Sequence, residues 1–153
     1  MRYFTKELWS RINDHDKNIR KNAEKEWNAN SSAYQQQFAE LRKHLPRGFI
    51  KGYLSRNGLH DYIILGMALT RRERTYSCEV QLTNGEETVL IVMTGITALQ
   101  VSIESFLCCV QGRIAWGYSE FEITPDHNIK LAVLCDEENE MQFEFKKIKL
   151  ISQ

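Results

Sequence analysis

The sequence predicts an α+β protein in which N-terminal helices, one of them long, precede an antiparallel β-meander of about six or seven strands forming a curved sheet, roll or sandwich. Three observations carry this. Apolar residues recur at helical spacing as far as Leu54, they alternate with polar ones from about Leu59 onward, and no helical stretch separates the later β-type runs. Parallel strands need such crossovers, so the sheet is expected to be antiparallel. With 153 residues, 42% of them apolar, the chain suffices for one domain with a real core. The expected division is a helical section over 1–57 and a β section over 58–153, in one compact unit.

Thr5 is the expected N-cap of a first helix running to about Asn13, with Leu8, Trp9 and Ile12 on one face. Asp14, His15 and Asp16 then form a turn or the acidic first turn of a second helix, where carboxylates favour the positive dipole end. In that second helix Ile19, Ala23 and Trp27 form one apolar stripe, and Tyr34, Phe38, Leu41 and Leu45 another. The seven residues from Trp27 to Tyr34 turn the helix by about 700°, so the stripes stay within about 20° of each other. One helix over 16–44 is therefore predicted, although Asn28, Asn30, Ser31 and Ser32 are weak helix formers. At about 1.5 Å per residue it would reach roughly 43 Å, overhanging a body of this size. Either a partner covers the overhang, or the helix breaks near Asn30 and folds back. Pro46 suits the first position of a third helix carrying Phe49, Ile50, Tyr53 and Leu54, which Asn57-Gly58 ends.

The β section opens with Tyr62 to Thr70. Tyr76, Cys78, Val80 and Leu82 then alternate with polar residues, Asn84-Gly85 turns the chain, and Glu86 to Thr94 returns as a hairpin partner. Strands are also expected at Ala98–Ile103, Arg113–Ile123, Leu131–Cys135 and around Met141, Phe143 and Phe145, the last two joined by the polar turn Asp136–Asn139. Within Arg113–Ile123 the alternation slips. Ile114, Trp116 and Tyr118 keep even positions, whereas Phe121 and Ile123 take odd ones and Glu120 and Glu122 hold the even phase. A bulge between Tyr118 and Phe121 would explain this, as would two inward-facing glutamates; bulges are over-represented beside functional sites.

The 20 Lys and Arg balance 20 Asp and Glu, which argues against a dedicated nucleic-acid coat or an acidic-membrane binder. The balance conceals a split. Residues 1–56 hold 12 Lys and Arg against 6 Asp and Glu, a surplus of six, and residues 57–153 hold 8 against 14, a deficit of six. The opening residues carry frequent charges and no apolar stretch like that of a secretory signal. Tyr62 to Leu69 is too short to span a bilayer that takes about 20 residues. A cytoplasmic protein with no membrane span is expected. Cys78, Cys108, Cys109 and Cys135 contain no C-x-x-C pair and read as buried free thiols. A zinc site from Cys108, Cys109 and His60 lacks the usual paired spacing, so no metal or cofactor is expected.

His60-Asp61 matches the metal-binding dipeptide of phosphohydrolases, but it precedes a β-type run rather than sitting on a helix. The commoner role is to close a strand entrance by hydrogen bonding. Asp61, Glu104, Glu120 and Glu122 could converge as acid/base carboxylates, although acids alternating with apolar residues usually mark a solvated sheet face. No serine-nucleophile elbow or phosphate-binding loop occurs. Lys17, Arg20, Lys21 and Lys25 on the second helix, and Arg71, Arg72 and Arg74 in the first inter-strand turn, could contact phosphates, yet interspersed glutamates make solvated faces the better reading. Trp116, Tyr118 and Phe121 could stack a ligand on an open β face. The candidate binding residues are thus His60, Asp61, Trp116, Tyr118 and Glu120; no catalytic set can be assembled.

MRYFTKELW, LHDYII, LTNGE, GRIAWGYSEFE and LAVLCDEENEMQFEF together resemble an uncharacterised family of small bacterial proteins, a domain of unknown function. The resemblance covers nearly the whole chain and implies no activity, ligand or site residue. The His-Asp pair opening a β-rich section is similar, more loosely, to bacterial immunity-type domains, which implies a protein partner. The leading expectation is a non-enzymatic protein-interaction module, immunity-like or regulatory, acting through a partner or self-association. The alternative is a small-molecule-binding domain or enzyme with a cleft near Trp116, Tyr118 and Glu120. A weak nucleic-acid binder comes third.

Overall fold

The computed structural model describes residues 1–101, 114–135 and 139–153. It is an α+β structure in which helices pack on two curled antiparallel sheets. Thr5 caps α1 (Lys6–Ile12), its hydroxyl accepting the Leu8 N–H at 3.2 Å. Asp16 caps α2 (Lys17–Leu41) by accepting from the Asn18 N–H. That helix continues unbroken through the polar patch into a 3₁₀ turn at Arg42–His44. The patch survives because it has work to do: the Asn30 amide donates to the Tyr3 carbonyl at 2.9 Å.

The break expected near Asn30 does not occur. The N-terminal half of α2 is covered by α1 of the same chain, with Trp9 against Trp27 (5.7 Å between ring centres) and Arg11 paired with Glu26 at 2.9 Å. Ala23 is fully buried at this crossing, whereas Ile19, the first residue of the predicted stripe, remains exposed. The third helix, α3 (Arg47–Leu54), begins one residue later than predicted, with Pro46 at its N-cap.

The larger sheet has the order β5-β1-β2-β3-β9 and the smaller one β4-β8-β7-β6. Their strands are β1 (Tyr62–Arg72), β2 (Thr75–Thr83), β3 (Thr88–Thr94), β4 (Ala98–Val101), β5 (Ala115–Trp116), β6 (Tyr118–Ile123), β7 (Ile129–Leu134), β8 (Glu140–Phe145) and β9 (Lys147–Ser152). Nine strands among the described residues exceed the expected six or seven because one predicted run divides and one further strand, β9, was not anticipated. The predicted run 113–123 breaks at Gly117 into β5 and β6, and after β8, the last strand predicted, the chain turns at Lys146 and adds β9 to the other sheet. The sheets are meanders at heart, β1-β2-β3 and β6-β7-β8, with β4, β5 and β9 added at their edges. The Asn84-Gly85 turn is longer than a two-residue hairpin. Asn84 Oδ1 accepts the N–H groups of Glu86 and Glu87, so the strand resumes only at Thr88.

The inner faces meet in one core. Cys78, Val80, Leu82, Val89, Ile91 and Met93 come from the larger sheet, and Leu131, Val133, Met141, Phe143 and Phe145 from the smaller. Phe49 and Tyr53 of α3 and Leu41 of α2 close one end. Burying a side chain of this size contributes about 1.5–3 kcal/mol, so the alternating strands outweigh the helical stripe in holding the fold.

The slipped alternation is neither a bulge in β6 nor a pair of inward glutamates. Pairing between β6 and β7 runs without a shift from Tyr118–Leu134 to Ile123–Ile129. The phase changes at Gly117, where the chain leaves one sheet and enters the other. A Cβ there would lie 2.3 Å from the Leu134 carbonyl oxygen, which only glycine avoids. Trp116 and Phe121 thereby both reach the core, while Tyr118 and Glu120 face the N-terminal segment and Glu122 is exposed. The bulge that does occur lies in β1, between Ile64 and Gly66.

Candidate functional site

Residues 1–5 form a strap across the outer face of β6. The Glu120 carboxylate holds it, Oε2 accepting the Arg2 N–H and Oε1 those of Tyr3 and Phe4, each at 2.7 Å. The α-amino group of Met1 adds a 3.0 Å contact to Glu140. Phe4 then packs against Trp27, Tyr34 and Tyr118, with its ring stacked on Tyr118 at 5.2 Å. On the other side α2 covers the free edge of β6: Tyr34 Oη accepts the Phe121 N–H at 2.7 Å. A sheet edge with no such cover would invite a foreign strand.

Between α2, the turn after α3 and the start of β6 lies a cleft of about 470 Å³, lined by Phe4, Ser31, Tyr34, Gln35, Phe38, Tyr53, Leu54, Asn57, Gly58, His60, Gly117, Tyr118 and Ser119. This is the size of a small-molecule site. Its mouth is a strained turn. Asn57, Gly58, Leu59 and Asp61 all have positive φ, 50°, 68°, 64° and 68°, and a bulky residue such as leucine rarely adopts that conformation. The surroundings enforce it, because Leu59 is fully buried and the Asp61 N–H donates to the Trp116 carbonyl at 2.9 Å. His60 stands at the rim, Nδ1 2.9 Å from Asp61 Oδ2 and its ring edge-on to Tyr118 at 4.7 Å.

The phenols of the cleft stay protonated at neutral pH. Burial pushes Tyr53 up to about 12, with hydrogen bonding to Ser119 pulling the other way. Tyr34 is raised by burial despite its bond from Phe121, and Tyr118 by burial and then by the charge of Asp61. Among the described residues no Lys, Arg, Asp or Glu lines the cleft.

Of the five sequence candidates, the structure brings His60 and Tyr118 together here. Asp61 stands behind His60, its side chain 85% exposed. Trp116 is fully buried beneath, donating Nε1–H to Ser119 Oγ at 2.8 Å, and offers no face to a ligand. Glu120 is committed to the strap, so it is no free acid. The proposed convergence of Asp61, Glu120 and Glu122 does not form; Glu104, Cys108 and Cys109 lie outside the described residues. Ser31, Gln35, Phe38, Tyr53 and Asn57 were not anticipated. Phe38 and Tyr53 read as ordinary core residues, and only Ser31 and Gln35, one turn apart beside the apolar stripe, left a trace in the pattern.

The charges of the two sections do not cancel where they meet. Among the described residues two ion pairs join them, Met1 to Glu140 and Arg56 to Glu87. Arg56 grips Glu87 through Nε and a terminal nitrogen at 2.8 and 2.7 Å, and Tyr62 donates to the same carboxylate. Lys17, Lys21 and Lys25 are exposed on α2. Among the described residues no three His, Cys, Asp or Glu side chains gather as a metal site requires, and no helix is long and apolar enough to cross a membrane.

Comparison with protein-family models, with curated proteins and with solved structures gave no match to this chain.

Proposed function

We propose that the protein is a small-molecule-binding domain and that the cleft beside His60 and Tyr118 is its ligand site. One observation carries this reading: three non-glycine residues in the left-handed conformation, Asn57, Leu59 and Asp61, are held at the mouth of an aromatic-lined cleft. Each such conformation in a residue other than glycine costs about 1–3 kcal/mol, and such strain gathers at binding sites. Thermal-shift screening against metals, nucleotides, nucleobases and sugars tests it, since a ligand at about 100 times its dissociation constant adds about 2.7 kcal/mol of stability. Ser31→Phe, which fills the cleft from α2, is expected to abolish the shift with little change in the unliganded melting temperature. A ligand response that survives this substitution refutes the site.

The charge layout favours a second reading, a protein-interaction module. With two ion pairs across the seam, the basic face of α2 and the acidic β section point outward and can orient a charged partner. Co-purification tests it. A partner released by moderate salt and lost on Lys17→Glu/Lys21→Glu supports it, and salt-independent association or none speaks against it.

A further inference from the structure

The chemistry of the cleft wall narrows what can occupy it. Among the described residues, the thirteen that line it include no permanently charged side chain, and its three tyrosines are neutral phenols. His60, the remaining ionisable group, already shares Nδ1 with Asp61. A carboxylate or phosphate drawn into this cleft would lose water and meet no fixed counter-charge, an arrangement that desolvation opposes. The rings of Phe38, Tyr118 and His60, partly exposed, supply apolar surface for a flat molecule. Two exposed amides complete the lining, Gln35 from α2 and Asn57 from the turn after α3. A side-chain amide presents a donor and an acceptor side by side. Its natural complement is a ring edge on which an acceptor and a donor are adjacent, the geometry by which Asn and Gln pair with a base.

We infer that the cleft binds an uncharged heteroaromatic ring of the nucleobase type, stacked on the aromatic wall and read at its edge by Gln35 and Asn57. This rests on the ligand-binding reading above. Sugars also stack on aromatic rings, but their hydroxyls are scattered around a puckered ring and do not present a flat paired edge to two amides.

Isothermal titration calorimetry tests the class with adenine, hypoxanthine and uracil as neutral rings, orotate as the ring-carboxylated relative of uracil, and glucose and decanoate as non-aromatic probes. At least one neutral ring is expected to bind, and orotate to bind about ten-fold or more weakly than the best of them, because its carboxylate finds no partner. Gln35→Leu and Asn57→Gly are each expected to weaken binding about five-fold, the usual worth of one neutral hydrogen bond. Both positions are exposed, and glycine keeps the left-handed backbone at 57, so circular dichroism should show an intact fold. Orotate binding as tightly as the neutral rings overturns the inference, as does binding indifferent to both amide substitutions. Glucose or decanoate binding in place of the three rings, and abolished by Ser31→Phe, overturns the class while the ligand site stands. Silence from all six probes overturns it too; the broad screen then decides the ligand site separately.

Discussion

Replacing Glu120 by glutamine exchanges one oxygen for an NH₂ group at a nearly buried position where three backbone N–H donors converge. If the amide keeps its oxygen toward Tyr3 and Phe4, those bonds become neutral and lose about half their strength. The NH₂ then confronts the Arg2 N–H, donor against donor. Bonds to a charged acceptor contribute about 1.5–3 kcal/mol each, so two halved and one abolished sum to a loss of about 3–6 kcal/mol. Glu120→Ala should cost at least as much, since it also leaves the buried Phe4 N–H without its acceptor. Urea denaturation followed by tryptophan fluorescence measures the loss directly, because Trp9 and Trp27 both lie beside the strap and α1. Glu122→Gln, two residues along the same strand and exposed, is the control and should stay within about 0.5 kcal/mol of the parent. A double-mutant cycle with Asn30→Ala, which frees the Tyr3 carbonyl, should show coupling, as both residues hold the same strap. If Glu120→Gln unfolds at the same urea concentration as Glu122→Gln, the carboxylate does not hold the strap.

Three further outcomes are expected. Gly117→Ala forces a Cβ onto the Leu134 carbonyl and should cost about 2 kcal/mol or more, read as a lowered thermal midpoint; a neutral effect would mean that the crossing between sheets can move aside. Hydrogen bonds from Arg56, and then from Tyr62, hold Glu87 below the ordinary carboxylate range. A depressed carboxylate stabilises the fold fully above its unfolded value and loses that contribution as pH falls through its folded value, so Glu87→Gln should flatten the acid limb of a stability-versus-pH curve, and a parent-like slope would refute the role. Burial pushes the Cys78 thiol up to about 12, so iodoacetamide at pH about 8 should leave that residue unmodified until urea unfolds the chain, as peptide mass mapping would reveal; rapid native labelling would contradict its burial.

Periodicity carried the elements a long way. The α2 boundaries followed from stripe phase and from an acidic cap, and the alternation of β2, β3 and β8 anticipated which residues enter the core. What the pattern could not carry is contact at long range. Glu120 binds backbone groups more than a hundred residues away, and an amide N–H has no signature in sequence, so the residue looked like a solvated acid or a candidate catalyst. The slip at 118–121 was visible, yet its cause was a strand changing sheets, which local alternation cannot distinguish from a bulge. The cleft was half legible for the same reason: His60 and Tyr118 stood out by type, whereas Phe38 and Tyr53 hid within stripes that also serve the core.

The Glu120 clamp also bears on the order in which the chain can fold during synthesis. The strap and its carboxylate are 116 to 118 residues apart, so Arg2, Tyr3 and Phe4 leave the ribosome long before their acceptor exists. At about 5–20 residues per second this is a wait of roughly 6–24 seconds. Throughout it the strap can rest only on α2, through Trp27, Tyr34 and Asn30, with the side of Phe4 that stacks on Tyr118 uncovered. Closing so long a loop carries a chain-entropy cost that only the finished β section can offset. The strap is thus expected to dock last, which makes it the segment a holding chaperone would meet and the first to detach when the folded protein breathes.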